Sequence, residues 1–186
     1  MPVGDIVSGD PPVPITVWHV PAPPPGEVVS SPLAVRLVHN FTHPGELIVD
    51  ATDGTQLARA IIAAGRRRLA PTDAPAYPIG QAALLVAAWP VGDPATADAV
   101  GRWIPPLRDG GSLAVVLPHT GPTAQADLVA AGHDAGLAYL QHIVAVTSTS
   151  ARGARRGGRG GHTRLRVHSD ILVLTRTRPD DRASDA

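Results

Sequence analysis

The chain has 186 residues, a length that suits one domain, and 44% of them are hydrophobic, enough for a real core. Its formal net charge is zero, which excludes a polyelectrolyte field over the whole molecule and confines any attraction for nucleic acid to a local patch. Cysteine is absent, excluding disulfides, thiolate metal sites and thiol catalysis; lysine is absent too, so all 16 basic residues are arginine and a GxxxxGK phosphate loop is ruled out.

Residues 1 to 29 concentrate proline, at Pro11, Pro12, Pro14, Pro21, Pro23, Pro24 and Pro25, and predict an extended or irregular N-terminal arm in which only Ile15 to Trp18 has the composition of a strand. The opening MPVGDIVSGDPP has no basic region followed by an apolar core, so it does not read as a signal peptide. No apolar run approaches the roughly 20 residues of a membrane helix, and the expected location is the cytoplasm, with no membrane partner. Ser31-Pro32 predicts a helix start, serine at the cap and proline in the first turn, and the helix runs to Phe41 with Leu33, Val35, Leu37, Val38 and Phe41 as its apolar positions.

A buried parallel strand is expected at 46 to 50, then a tight turn at Asp53-Gly54 and a helix over 55 to 64, stopped by Gly65. Arg67 to Ala70 reads as a short second strand, broken by Pro71 and Pro75. Ala82 to Ala88 is a further buried strand, ending at Trp89-Pro90, and Pro94 to Ile104 a helix. Pro105 to Gly111 reads as a loop, Ser112 to Leu117 as a strand, and 123 to 135 as a helix ended by Gly136. Tyr139 to Thr147 and Arg166 to Thr177 then form an antiparallel hairpin, leaving 179 to 186 as a disordered tail. The alternation of strand and helix places the chain in the α/β class.

Asp50, at the tip of a parallel strand, is placed to point into the crevice where such sheets bind ligands, and Gly54 lets backbone amides come close to one. The competing reading is a structural turn without a ligand. The glycine-rich segment 151 to 163 carries Arg152, Arg155, Arg156 and Arg159, which either contact nucleic-acid phosphates without reading sequence or form a solvated hairpin loop; no aromatic residue is interleaved for base stacking. The eight histidines are scattered without HExxH or paired ligand spacing, so no metal site is expected. There is no GxSxG nucleophile elbow, and Gly110-Gly111-Ser112 reads as a strand entry.

The segment SSPLAVRLVHNFTHPGELIVDATDGTQLARAIIAAGRRRL, residues 30 to 69, resembles the cofactor segment of the N4-cytosine/N6-adenine DNA methyltransferases. That pattern is a helix, then PGD-V-L-D-P-F-x-G-x-G-T, then a helix closing with GR. Val17-Trp18 matches a VW segment found ahead of it in some members, and Pro106-Leu107-Arg108-Asp109-Gly110-Gly111-Ser112-Leu113 matches a P-L-x-x-G-G-x-L run common in the fifth strand of class I methyltransferases. The resemblance implies a Rossmann-like class I methyltransferase sheet over 30 to 178. It also implies S-adenosylmethionine as cofactor, held by Asp50, Thr52, Gly54 and Thr55, with Asp73 on the ribose. Three departures stand out: Ala51-Thr52 replaces Pro-Phe, Gln56 replaces the second glycine, and the D/N/S-P-P-Y/F/W tetrapeptide that orients the target amine is represented only by Ala88-Trp89-Pro90-Val91. Trp89 and Pro90 therefore mark the catalytic position without the family's polar group, and Trp89 is either a stacking platform or a core residue. Only about a dozen residues separate the second strand from Ala82, near the minimum for one parallel crossover, so the sheet is expected to lack an edge strand. Three functional classes follow: a diverged methyltransferase of unassigned acceptor, a non-catalytic module of the same fold, and a small-molecule methyltransferase with the proline-rich arm as lid.

Overall fold

The computed structural model describes residues 13–52, 54–70, 79–89, 96–118, 122–148 and 166–177. The elements in chain order are β1 (Ile15–Val20), α1 (Ser31–Phe41), β2 (Leu47–Ala51), α2 (Thr55–Ala63), β3 (Arg67–Leu69), β4 (Ala82–Ala88), α3 (Thr96–Trp103), β5 (Leu107–Pro118), α4 (Pro122–Asp134), β6 (Leu137–Ser148) and β7 (Arg166–Arg176). They build one sheet in the order β1-β6-β7-β5-β4-β2-β3, in which only β7 runs antiparallel to its neighbours. This is the expected Rossmann-like α/β sheet with a closing hairpin.

The sheet is buried on both faces, which is why its central strands are continuous apolar runs rather than alternating ones. In β4, Leu84 and Val86 face one core with Leu33, Leu37 and Val38 of α1 and Leu57 and Ile61 of α2. Leu85 and Ala87 face the other, with Val100 of α3 and Leu128 of α4. Helix α1 buries Leu33, Ala34, Leu37 and Val38, a stripe at helical spacing. Its N-cap is Ser30, one residue earlier than expected, and the Ser30 side chain makes no capping bond.

Two features concern the sheet's edges. Beyond β3 the described residues contain no further strand, and the segment on which the expectation of a missing edge strand rested, 71–78, lies outside them. At the opposite edge, β1 extends the sheet by pairing in parallel with β6 from Ile15↔His142 to Val20↔Thr147. Part of the proline-rich segment is thus sheet, with Val20 and Trp18 packed against the α1/α2 core.

The segment from Leu107 is strand rather than loop. Ala82 pairs with Leu107 but Leu84 with Ser112, so β5 accommodates extra residues in a bulge. Gly111 fits there because a Cβ would lie 2.7 Å from the Ala82 carbonyl oxygen and 2.8 Å from that of Arg108. The glycine pair is a requirement of sheet geometry.

The chain passes from β2 outward to β3, then returns across β2 to β4. This reversal sets a topological switch point between β2 and β4, where open α/β sheets form their ligand crevice at the strands' carboxyl ends. Both α1 and α2 run antiparallel to β2, so both helix N-termini open at that same end.

Candidate functional site

Asp50 ends the buried part of β2 and is 1% exposed. One carboxylate oxygen accepts from the Thr52 amide at 3.2 Å and the Thr52 hydroxyl at 2.7 Å. The other accepts from Arg68 Nε at 2.9 Å, an ion pair reaching across from β3. Thr52 is itself buried at 4%. The strand-tip carboxylate therefore ties its own loop to the neighbouring strand, and both its oxygens already have donors.

Next along the loop, Gly54 occupies the N-cap position of α2. The group that approaches it is Glu27. A Cβ on Gly54 would sit 2.3 Å from Glu27 Oε2, so the absence of a side chain is what permits the contact. Both Glu27 oxygens accept from the Thr55 amide at 3.0 Å, Oε1 accepts from the Thr55 hydroxyl at 2.6 Å, and Oε2 from the Gln56 amide at 3.4 Å. These donors belong to the first turn of α2, whose amides have no partner within the helix and whose dipole favours an anion. The Thr55 hydroxyl, then the Thr55 amide, the Gln56 amide and the Arg59 charge hold the Glu27 carboxyl below its ordinary value, against a smaller opposing effect of burial.

Sequence reasoning missed Glu27. It is aimed by a turn in which its amide donates to the Pro24 carbonyl at 3.0 Å, with Gly26 at φ 80°. Val29, fully buried, and Val28 anchor the following residues in the α1/α2 core. An acid between a proline-glycine turn and an apolar pair was the only local signal.

Ser30 lies three residues later at the N-terminus of α1. It is 2% exposed, and its Oγ has no hydrogen-bond partner among the described residues. Gln56, at the position of the missing second glycine, is half-buried and meets Glu27 through its backbone amide.

At the end of β4, Trp89 is 7% exposed and packs with the α3/α4 core, its amide donating to the Val116 carbonyl at 2.8 Å. Of the two readings of this residue, the placement is that of a core tryptophan, and its buried ring is not presented as a stacking platform. Pro90, Asp73, Arg152, Arg155, Arg156 and Arg159 lie outside the described residues, so the ribose, tetrapeptide-proline and nucleic-acid assignments carry no structural description. The structure brings together Asp50, Thr52, Gly54 and Thr55 and adds Glu27, Ser30 and Arg68.

A second polar cluster lies on the α4 side of the hairpin. His142 Nε2 is 2.9 Å from Asp170 Oδ1, and Gln125 donates to Asp170 Oδ2 at 2.8 Å. Burial, with the Asp170 charge adding to it, pushes the nearby Tyr139 phenol up to about 12. Among the described residues no group of three or more potential ligands could hold a metal ion, and no helix is long and apolar enough to cross a membrane.

No family model and no curated protein sequence matches the chain. Solved structures do resemble it. The geranyl diphosphate C-methyltransferase from Streptomyces coelicolor A3(2), in complex with Mg2+, geranyl diphosphate and S-adenosyl-L-homocysteine, aligns over 80% of this chain and 78% of its own, at 12% identity and a TM-score of 0.55. A SAM-dependent O-methyltransferase from Thermotoga maritima aligns over 82% and 67%, at 12% identity and a TM-score of 0.52. At such identities the likeness is one of fold, and that fold is the class I methyltransferase sheet.

Proposed function

We propose that this chain is a diverged S-adenosylmethionine-dependent methyltransferase, related to the DNA amino-methyltransferases through its 30 to 69 segment and holding the cofactor at the β2/β4 switch point. The observation that carries the proposal is the opening of two helix N-termini and the Gly54 loop at the switch-point end of the sheet, with a buried hydroxyl there, Ser30 Oγ, that has no partner among the described residues. These groups fit the anionic amino-acid end of the cofactor: the amides of Thr55 and Gln56 would donate to its carboxylate, with the Ser30 hydroxyl as a further donor. The bound cofactor supplies an electrophilic methyl group. The protein's share is to bind, orient and exclude water around it.

Among the described residues, nothing at the end of β4 replaces the family's amine-orienting group, since Ala88 is apolar and Trp89 is buried. This proposal therefore leaves the acceptor unassigned, and the acceptors named for the solved neighbours belong to those proteins. The same observation favours a second reading, a module that kept the sheet and lost the chemistry. In that reading the arginines at 152, 155, 156 and 159 supply contacts to nucleic acid.

Calorimetric titration with S-adenosylmethionine and S-adenosylhomocysteine separates the two. Binding of either at micromolar strength is expected for the first; folded protein that binds neither leaves only the second. For the arginine segment, binding of DNA or RNA should weaken steeply with salt and fall when Arg155, Arg156 and Arg159 become alanine. Unchanged binding in that variant would make the segment a connection only.

A further inference from the structure

Glu27 occupies the α2 end of the proposed cofactor crevice with the chain's own carboxylate. Its two oxygens satisfy the Thr55 amide and hydroxyl and the Gln56 amide, donors that a ligand carboxylate would otherwise meet. The contact spans 28 residues of sequence and depends on Gly54 having no side chain. It is also lightly held, because Glu27 stays partly open to water and sits on a proline-glycine turn outside any helix or strand.

A second polar group lies close by in sequence. Ser30 Oγ, at the neighbouring helix N-terminus three residues along the same segment, is buried and has no partner among the described residues. A buried hydroxyl without a partner carries a desolvation cost that the fold leaves unrelieved, and a polar ligand group at this end would relieve it.

We infer that Glu27 is an internal competitor that sets which ligands the crevice admits: a ligand with an anionic end must displace the Glu27 carboxylate from the first turn of α2, whereas one lacking that end need not. This rests on the cofactor reading above. With Glu27 seated, only the fraction of molecules in which it has swung out is competent for an anionic-ended ligand, and the apparent affinity falls by that fraction.

The test uses the full chain as wild type, Glu27→Ala and Glu27→Gln. The probes are S-adenosylhomocysteine, which carries the amino-acid end, and 5′-methylthioadenosine, the same nucleoside without a carboxylate. Glu27→Ala should bind S-adenosylhomocysteine tighter by about tenfold, the ratio for a seat filled in nine molecules of ten, and bind methylthioadenosine unchanged. Glu27→Gln, which keeps the shape and drops the charge, should fall between.

A second readout does not involve the nucleosides. Acetate titrated into labelled protein should shift the Thr55 and Gln56 amide resonances in Glu27→Ala and leave them in place in the wild type. If those amides respond alike in both proteins, or in neither, the inference is overturned. If the wild type binds S-adenosylhomocysteine and Glu27→Ala binds it no tighter, the inference falls while the cofactor reading stands. If acetate distinguishes the two proteins and neither binds either nucleoside, Glu27 does fill an anion seat and the cofactor reading falls.

Discussion

Replacing Asp50 distinguishes a structural hub from a carboxylate held ready for a ligand. Its side chain has no exposed surface, and three donors converge on it: the Thr52 amide, the Thr52 hydroxyl and Arg68 Nε. In Asp50→Ala, Thr52 keeps its burial while its amide and hydroxyl lose the one oxygen that they share, and a buried donor left unsatisfied costs about 1–3 kcal/mol. Arg68 adds less than a buried ion pair would suggest. Its side chain is 30% exposed, so water replaces much of the lost partner, and about 0.5–1 kcal/mol is a fair share. Together these give a destabilisation of about 2–4 kcal/mol for Asp50→Ala. Asp50→Asn retains an oxygen for Thr52 and loses the charge facing Arg68, so about 1–2 kcal/mol is expected. Urea unfolding of both variants, followed by near-ultraviolet circular dichroism, measures the order and size of these losses. A cost below about 0.5 kcal/mol for Asp50→Ala would refute the hub, since no buried donor could then have been stranded. The result also governs how binding data are read: a ligand lost in Asp50→Ala can be lost because the loop melted.

Three further outcomes follow from geometry and charge. Gly111→Ala drives a Cβ into two backbone carbonyls, at 2.7 and 2.8 Å, which cannot rotate away as a side chain would; a loss of about 1–3 kcal/mol in chemical denaturation is expected. Burial raises the Glu46 carboxyl, but the His43 amide at 2.8 Å and Arg108 at 2.6 Å outweigh it and leave the group below its ordinary 4.5. A depressed carboxyl stabilises the fold above its unfolded value and stops doing so as pH falls through its folded one. Glu46→Gln should thus be less stable than wild type near neutrality, with the gap closing below pH 4.5 in paired denaturation curves. For Tyr139 the sign is opposite: the folded phenol holds its proton to about 12 against an ordinary 10.0, so stability present below pH 10 is lost as pH rises toward 12. Tyr139→Phe should remove that alkaline slope, and an unchanged slope would assign it to another group.

Much of the fold was legible because its signals are local. Leu47-Ile48-Val49 before an Asp-Gly turn, the Ser-Pro start of α1 and the hairpin strands each announce themselves within a few residues, and their observed bounds fall within two residues of expectation. The less legible features depend on distant partners. Strand β1 pairs with β6 across more than a hundred residues, and nothing in a proline-rich segment says which edge will accept it. The bulge at Gly110-Gly111 hid the first residues of β5, because a glycine pair reads as a loop until Ala82 is seen pairing with Leu107. At the site, Asp50 and Gly54 were visible as a motif, while their real partners, Arg68 and Glu27, lie 18 and 28 residues from the groups they touch. The choice between core and platform for Trp89 likewise needed α3 and α4 in place.

The crevice has closed its charges upon itself. Asp50 is satisfied by Thr52 and Arg68, and the first turn of α2 by Glu27, so a ligand arriving at this end gains no unpaired amide at Thr55. A scaffold can keep such an arrangement indefinitely, since every bond in it stabilises the fold. On the proposed cofactor reading a methyltransferase cannot, because the cofactor's carboxylate would need the donors that Glu27 holds. The two contacts differ in how firmly they are held: Asp50 is fully buried and fixed by three donors, whereas Glu27 is partly solvated and would exchange helix amides for water at small cost. Of the two closures, the one that would block the proposed cofactor is therefore the one that can open. The choice between enzyme and scaffold then turns on the Glu27 equilibrium more than on Gln56, whose backbone, already turned toward the crevice, meets whatever carboxylate is there.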